Sequence, residues 1–189
     1  MMKVLLTIAR VIDSINERVG RAVIWLVLMM ALVSASNALV RYLFNRSSNA
    51  WLELQWYLFA AVFLLCAGYT LLHNEHIRID VVSSRLSARS RLWIDILGTL
   101  LFLLPVSIFI VWLSWPVFVN AWVSGEISSN AGGLIRWPAR LLVPAGFLLL
   151  SLQGVSELIK RVAALMGLIP DPMTRPPAPL IVPVPEADR

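Results

Sequence analysis

Four stretches of this sequence run free of charged residues for about the length of a membrane crossing, and no other feature limits the fold so strongly. AVIWLVLMMALVSASNALV lies between Arg21 and Arg41, and LQWYLFAAVFLLCAGYTLL fills Leu54 to Leu72. A third run extends from Ile96 to Gly125 and a fourth from Leu141 to Ser156, its ends reaching toward Trp137 and Leu158. At ~1.5 Å per residue, such runs cross ~30 Å of hydrocarbon as helices. The chain is 59% hydrophobic and only 14% charged, outside the range of a soluble domain. The expected fold is therefore an all-α integral membrane protein with four transmembrane helices at about 22–44, 52–73, 92–124 and 138–160 within a domain at 21–166.

The ends differ from this domain. Residues 1–20 place Val4, Leu5, Ile8, Val11, Ile12, Ile15 and Val19 at helical spacing, which predicts an amphipathic N-terminal arm helix. Two readings stay open for it: a helix lying in the cytoplasmic membrane interface or against a partner, with a bend near Gly20, or a straight cytosolic extension of the first span. Val33-Ser34-Ala35 imitates a signal-peptidase site, but the apolar character continues to Val40, and the segment is expected to be a retained span. Residues 167–189 are proline-rich, which predicts a disordered tail.

Basic residues orient the bundle. The N-terminal segment carries Lys3, Arg10, Arg18 and Arg21, the second loop Arg78, Arg85, Arg89 and Arg91, and the C-terminal segment Lys160, Arg161, Arg175 and Arg189. The other two loops hold only Arg41 with Arg46, and Arg136 with Arg140. An even number of spans with both termini cytoplasmic satisfies this bias, and Trp51, Trp56, Trp115, Trp122 and Trp137 then gather at the outer interface. The third run exceeds a vertical span and holds Pro105 and Pro116, so a kink near one of them is expected. Pro144 is read in the first turn of the fourth, where proline costs little.

Candidate chemistry is sparse. HNEHIRID, His73 to Asp80, holds both histidines, but two imidazoles beside the fixed cation of Arg78 make a poor zinc site. Asp80 and Ser87 are potential helix caps. Cys66 is the single cysteine, which rules out an intrachain disulfide. The apolar runs lack the buried charge that marks an ion or proton path, so the bundle is expected to have no ionisable core. Ser34, Ser36, Asn37, Asn120, Ser151, Gln153 and Ser156 are read as interhelical hydrogen-bonding groups. Glu53, flanked by Trp51 and Trp56, is read equally as solvated or as paired with an arginine such as Arg41 or with a partner protein.

Taken in order, the four spans, the arm, WLELQWY opening the second span, and His76, Arg78 and Asp80 after it resemble the DctQ-type small membrane subunit of tripartite ATP-independent periplasmic (TRAP) transporters. Trp93 and Asp95, opening the third span, belong to the same pattern, and the resemblance reaches to about Gly167. It implies a non-enzymatic permease subunit in the bacterial inner membrane, partnered by a large multi-span subunit and a periplasmic substrate-binding protein. The small subunit would be a scaffold or stator with no cofactor of its own, sodium coupling belonging to the large subunit. The segment Ser128 to Leu150 is similar to a subgroup linked to organic acids, 2-oxo acids among them. Glu53, Trp51, Trp56, His76, Arg78, Asp80, Trp93 and Asp95 are then partner-interface or structural candidates, and Glu126, Asn130, Arg136 and Arg140 candidate contacts of the periplasmic loop. The rival classes are a membrane anchor of a haem or quinone redox complex and an independent small channel. The absence of mid-membrane histidines and of a polar stripe disfavours them.

Overall fold

The structure, a computed structural model, describes residues 2–45, 48–74 and 87–170, and every regular element among them is helical. In chain order these are α1 (Met2–Phe44), α2 (Asn49–Leu72), α3 (Ala88–Gly98), a five-residue π-turn (Thr99–Leu103), α4 (Leu104–Ser124) and α5 (Trp137–Leu165). The α3, π-turn and α4 segments form one continuous span, so four helices are long and apolar enough to cross a membrane. Ser87 caps α3 as its position predicts, its Oγ accepting the Ser90 amide at 3.2 Å.

The arm and first span are a single helix, unbroken at Gly20. The glycine serves close approach rather than a bend. A Cβ on Gly20 would fall 2.2 Å from the Tyr69 ring, so only hydrogen lets α1 seat against α2 there. The arm divides its apolar residues between two sides. Its buried positions are Ala9, Ile12, Asn16, Gly20 and Val23, whereas Val4, Ile8, Val11 and Ile15 face outward.

Helix α5 is the hub, packing on α2, α1 and α4, while α1 and α2 also pack on each other. The remaining span leans on the bundle chiefly through α5. Lipid offers apolar side chains an environment as favourable as a neighbouring helix, so close backbone approach and polar contacts must hold such a bundle together. Gly146 provides the first: a Cβ there would sit 2.6 Å from the Leu64 carbonyl oxygen of α2.

Of two prolines that the sequence marks, one stands beside a local distortion and the other departs from its expected place. Pro105 follows the π-turn directly, and the Leu104 amide reaches back to the Thr99 carbonyl in place of an ordinary α-helical bond. An inserted wide turn thus stands beside Pro105, where the sequence predicts a kink. Pro144 is not in a first turn, because α5 begins at Trp137 and Pro138 occupies that place. Pro144 lies inside the helix and is buried against its neighbours.

If the α2–α5 seam depends on Gly146, then Gly146→Ala will cost about 1–3 kcal/mol through overpacking. Gly98→Ala, whose added Cβ meets nothing within 4 Å, will be neutral or stabilising. Thermal unfolding of both purified variants in mild detergent checks the contrast.

Candidate functional site

Two polar clusters, one at each end of the bundle, collect most of the chemistry of the described residues. The inner cluster, so called from the orientation that the loop charges predict, joins the arm to the C-terminal half of α5. Asn16 donates from Nδ2 to Gln153 Oε1 at 2.9 Å, and Gln153 Nε2 donates to Asp13 Oδ1 at 2.9 Å and to Glu157 Oε1 at 3.2 Å. The Ser156 hydroxyl donates to Asp13 Oδ1 at 2.6 Å. Lys160 Nζ lies 3.1 Å from Asp13 Oδ2 and 2.5 Å from Glu157 Oε1. Arg161 sits with Nη2 3.7 Å from Glu157 Oε2 and donates from Nη1 to the Thr99 hydroxyl at 3.0 Å. Asp13, Glu157, Lys160 and Arg161 make two carboxylates against two cations, a formally neutral set.

Burial makes this cluster consequential. Glu157 is 1% exposed and Arg161 2%. The expectation of a bundle without an ionisable core therefore fails at this end. Lys160 and Arg161 follow the last apolar run and read, by position, as headgroup-level orientation charges. Helical phase is the signal that separates the two meanings: Gln153, Glu157 and Arg161 fall four residues apart on one face of α5, the face that meets Asn16 and Thr99. Ser151 and Ser107 continue the seam between α5 and α4 with a hydroxyl pair at 2.9 Å.

Beside the inner cluster, His73 at the end of α2 meets Glu17 of α1, Nε2 to Oε2 at 2.7 Å, and stacks at a tilt on Tyr69 with ring centroids 4.3 Å apart. The first histidine of HNEHIRID thereby fastens α2 to α1. His76, Arg78 and Asp80 lie outside the described residues.

The outer cluster centres on Glu53. This carboxylate, 8% exposed, is neither solvated nor paired with Arg41. Its Oε1 accepts from the Ser128 hydroxyl and, at 2.8 Å, from Asn130 Nδ2, while Oε2 accepts the Leu134 backbone amide at 2.7 Å. The loop between α4 and α5 folds back over the first turn of α2 through these bonds. Gly125 ends α4 in the left-handed conformation at φ 61°, a place that suits glycine. An antiparallel bridge pairs Ile127 with Ile135, and Asn49 and Tyr57 of α2 add bonds to the loop carbonyls of Ala131 and Ile135. Glu126 takes Arg136 at 3.2 Å and Arg140 at 2.7 Å. Trp122 and Trp137 meet edge-on, 4.5 Å between centroids, closing the loop's base.

The structure thus draws Glu53 and Asn130 together, and Glu126 with Arg136 and Arg140, as bonds within the chain. Trp51, Trp56 and Trp93 are exposed on the helix surfaces, and Asp95 is half-buried on α3. Sequence spacing alone does not join Glu53 to acceptor-seeking groups more than 70 residues away.

Four membrane-length helices among the described residues, with polar clusters at the two ends of the bundle, define a small multi-pass membrane protein. A family match assigns it further: the DctQ component of the tripartite ATP-independent periplasmic transporters matches residues 29–164, and the chain belongs to that family. It is a small permease subunit of a TRAP transporter. No curated protein and no solved structure matches the chain.

Breaking the inner cluster unevenly will cost most. Glu157→Met leaves Arg161, 2% exposed, buried without its carboxylate and will lower stability by about 3–5 kcal/mol, while the double variant Glu157→Met, Arg161→Met recovers most of the loss. Detergent unfolding followed by tryptophan fluorescence measures both. At the other end, Glu53→Ala removes three acceptor contacts and will cost about 1–3 kcal/mol. The same variant will speed proteolytic cleavage between 126 and 136, read by mass spectrometry.

Proposed function

We propose that the chain is the fixed, non-catalytic scaffold of a sodium-coupled, binding-protein-dependent transporter for organic acids, 2-oxo acids among them. The observation that carries this reading is the family match over residues 29–164. In that family the small subunit works with a large membrane subunit and a periplasmic binding protein. Here the large subunit holds the substrate and sodium sites and moves, and this chain, without a cofactor of its own, stays in place beside it in the bacterial inner membrane.

The packing supports a stationary role. Charges at the inner end neutralise one another within hydrogen-bonding reach, and the outer loop is tied down by a buried carboxylate, so both ends of the bundle resist rearrangement. Loop charge supports cytoplasmic termini, which puts the Glu53 clasp and the residues Glu126, Asn130, Arg136 and Arg140 on the periplasmic side. His76, Arg78 and Asp80 are proposed to lock the turn after α2 to the large subunit or the arm.

Purification of the tagged chain from its native membrane in mild detergent will recover a large multi-span permease, identified by mass spectrometry, and Arg78→Ala or Asp80→Ala will lower that recovery. Deleting the chain will abolish binding-protein-dependent organic-acid uptake, and a plasmid copy will restore it. Recovery of a haem or flavin enzyme instead, or intrinsic flux by the chain alone, overturns the reading.

A further inference from the structure

The arm carries an apolar stripe that no other described residue covers. Val4, Ile8, Val11 and Ile15, spaced four, three and four residues apart, are between 42% and 63% exposed. They lie on a different side of α1 from the buried set Ala9, Asn16 and Gly20; the exposed polar residues Lys3, Thr7, Arg10 and Ser14 flank the stripe along one edge, and the buried Ile12 adjoins it along the other. The same alternation of three and four continues into the membrane through Ala22, Trp25, Met29 and Leu32, all exposed as well. Only Arg18 interrupts it. A seam repeating every 3.5 residues along an unbroken helix is the pattern that one helix presents to another.

Lipid covers only part of that seam. The α1 helix is 43 residues long, about 65 Å at the usual rise, against ~30 Å of hydrocarbon. Holding all of it in lipid would need a tilt of about 60°, beyond the 0–40° that membrane helices adopt. Its contacts set the depth: Gly20 meets Tyr69 and Glu17 meets His73, where α2 ends. The residues before Glu17 therefore project beyond the inner end of α2, alongside the charged end of α5. A row of large aliphatic side chains in that position stands outside the hydrocarbon.

We propose that this stripe, from Val4 to Leu32, is the docking seam for a long helix of the large membrane subunit, one that passes from the bilayer into the cytoplasm and carries carboxylates beside its own apolar row. The proposal rests on the reading of this chain as the TRAP small subunit and adds to it the surface and the chemistry of its partner. Continuity of the seam across the membrane boundary selects a membrane-embedded partner over a soluble one. The flanking cations Lys3, Arg10 and Arg18 select acidic groups on it. The seam's outward direction means that it contributes to assembly and not to the fold of the chain.

The test is co-expression of the tagged full-length chain with its large membrane subunit, and co-purification in mild detergent. Ile8→Ser with Ile15→Ser will reduce recovery of the large subunit at least about tenfold while the thermal midpoint of the chain alone stays unchanged. In a background with Cys66→Ser, cysteines at positions 4, 8, 11 and 15 will cross-link to the large subunit, and cysteines at 24 and 27, exposed on α1 but off the seam, will not. Full recovery with the double variant, or cross-linking without this periodicity, overturns the seam. Cross-links from the seam to a second copy of the chain, or to lipid-linked probes alone, also overturn it. If the wild-type chain fails to recover the large subunit, the functional reading fails first, and the two failures are told apart.

Discussion

Among lipid tails, apolar side chains gain little from touching one another, so the contacts that hold this bundle together must be those that lipid cannot match. The chain uses two kinds. Gly68 and Gly146 let backbones approach: a Cβ at Gly68 would fall 2.1 Å from Asn16 Oδ1, and one at Gly146 would strike Leu64. Hydrogen bonds and ion pairs at either end then fix the helices along their length. Both kinds converge on α5, which carries Gly146, Ser151, Gln153, Ser156, Glu157 and Arg161 on its buried face. The large aliphatic and aromatic residues face outward on nearly every span. Polar side chains such as Asn16, Gln153 and Glu157 share the interior with Leu71, Leu92, Ile96 and Leu104, a far more polar mixture than a soluble core.

Much of the fold was legible because its strongest determinant is length. An uninterrupted apolar run reports a span without reference to any contact, and the Ser87 cap and the proline-linked distortion of the third span follow from local rules. What sequence concealed were the directions of side chains whose type permits two roles. A lysine or arginine just past a span reads the same whether it reaches the headgroups or turns inward to a carboxylate, and Arg161 turns inward. Val4, Ile8, Val11 and Ile15 identify an amphipathic helix but leave open which neighbour claims its apolar side. Glu53 stayed ambiguous because its partners arrive from a loop distant in the chain.

The two polar clusters differ in what they stabilise. At the inner end, opposite charges are drawn from two helices and a hydroxyl from a third, so the cluster sets how α1, α5 and the π-turn stand relative to one another. At the outer end a single carboxylate gathers a hydroxyl, an amide side chain and a backbone N–H from one loop, and so shapes a surface. The first arrangement concerns the rigidity of the bundle, the second the form of what it shows to the aqueous side.

The π-turn carries a consequence for the outward faces of the third span. Buried positions follow the usual helical spacing at Leu92, Ile96 and Thr99, then skip to Leu104 and Ser107. One residue more than an α-helical turn has been accommodated between the two halves, so the face above Leu104 is out of phase with that below Thr99. A single helical wheel drawn through Ala88 to Ser124 would assign half of the lipid-facing residues to the wrong side. The Trp112 and Phe109 surface and the Trp93 surface belong to two separate registers, each free to meet a different neighbour.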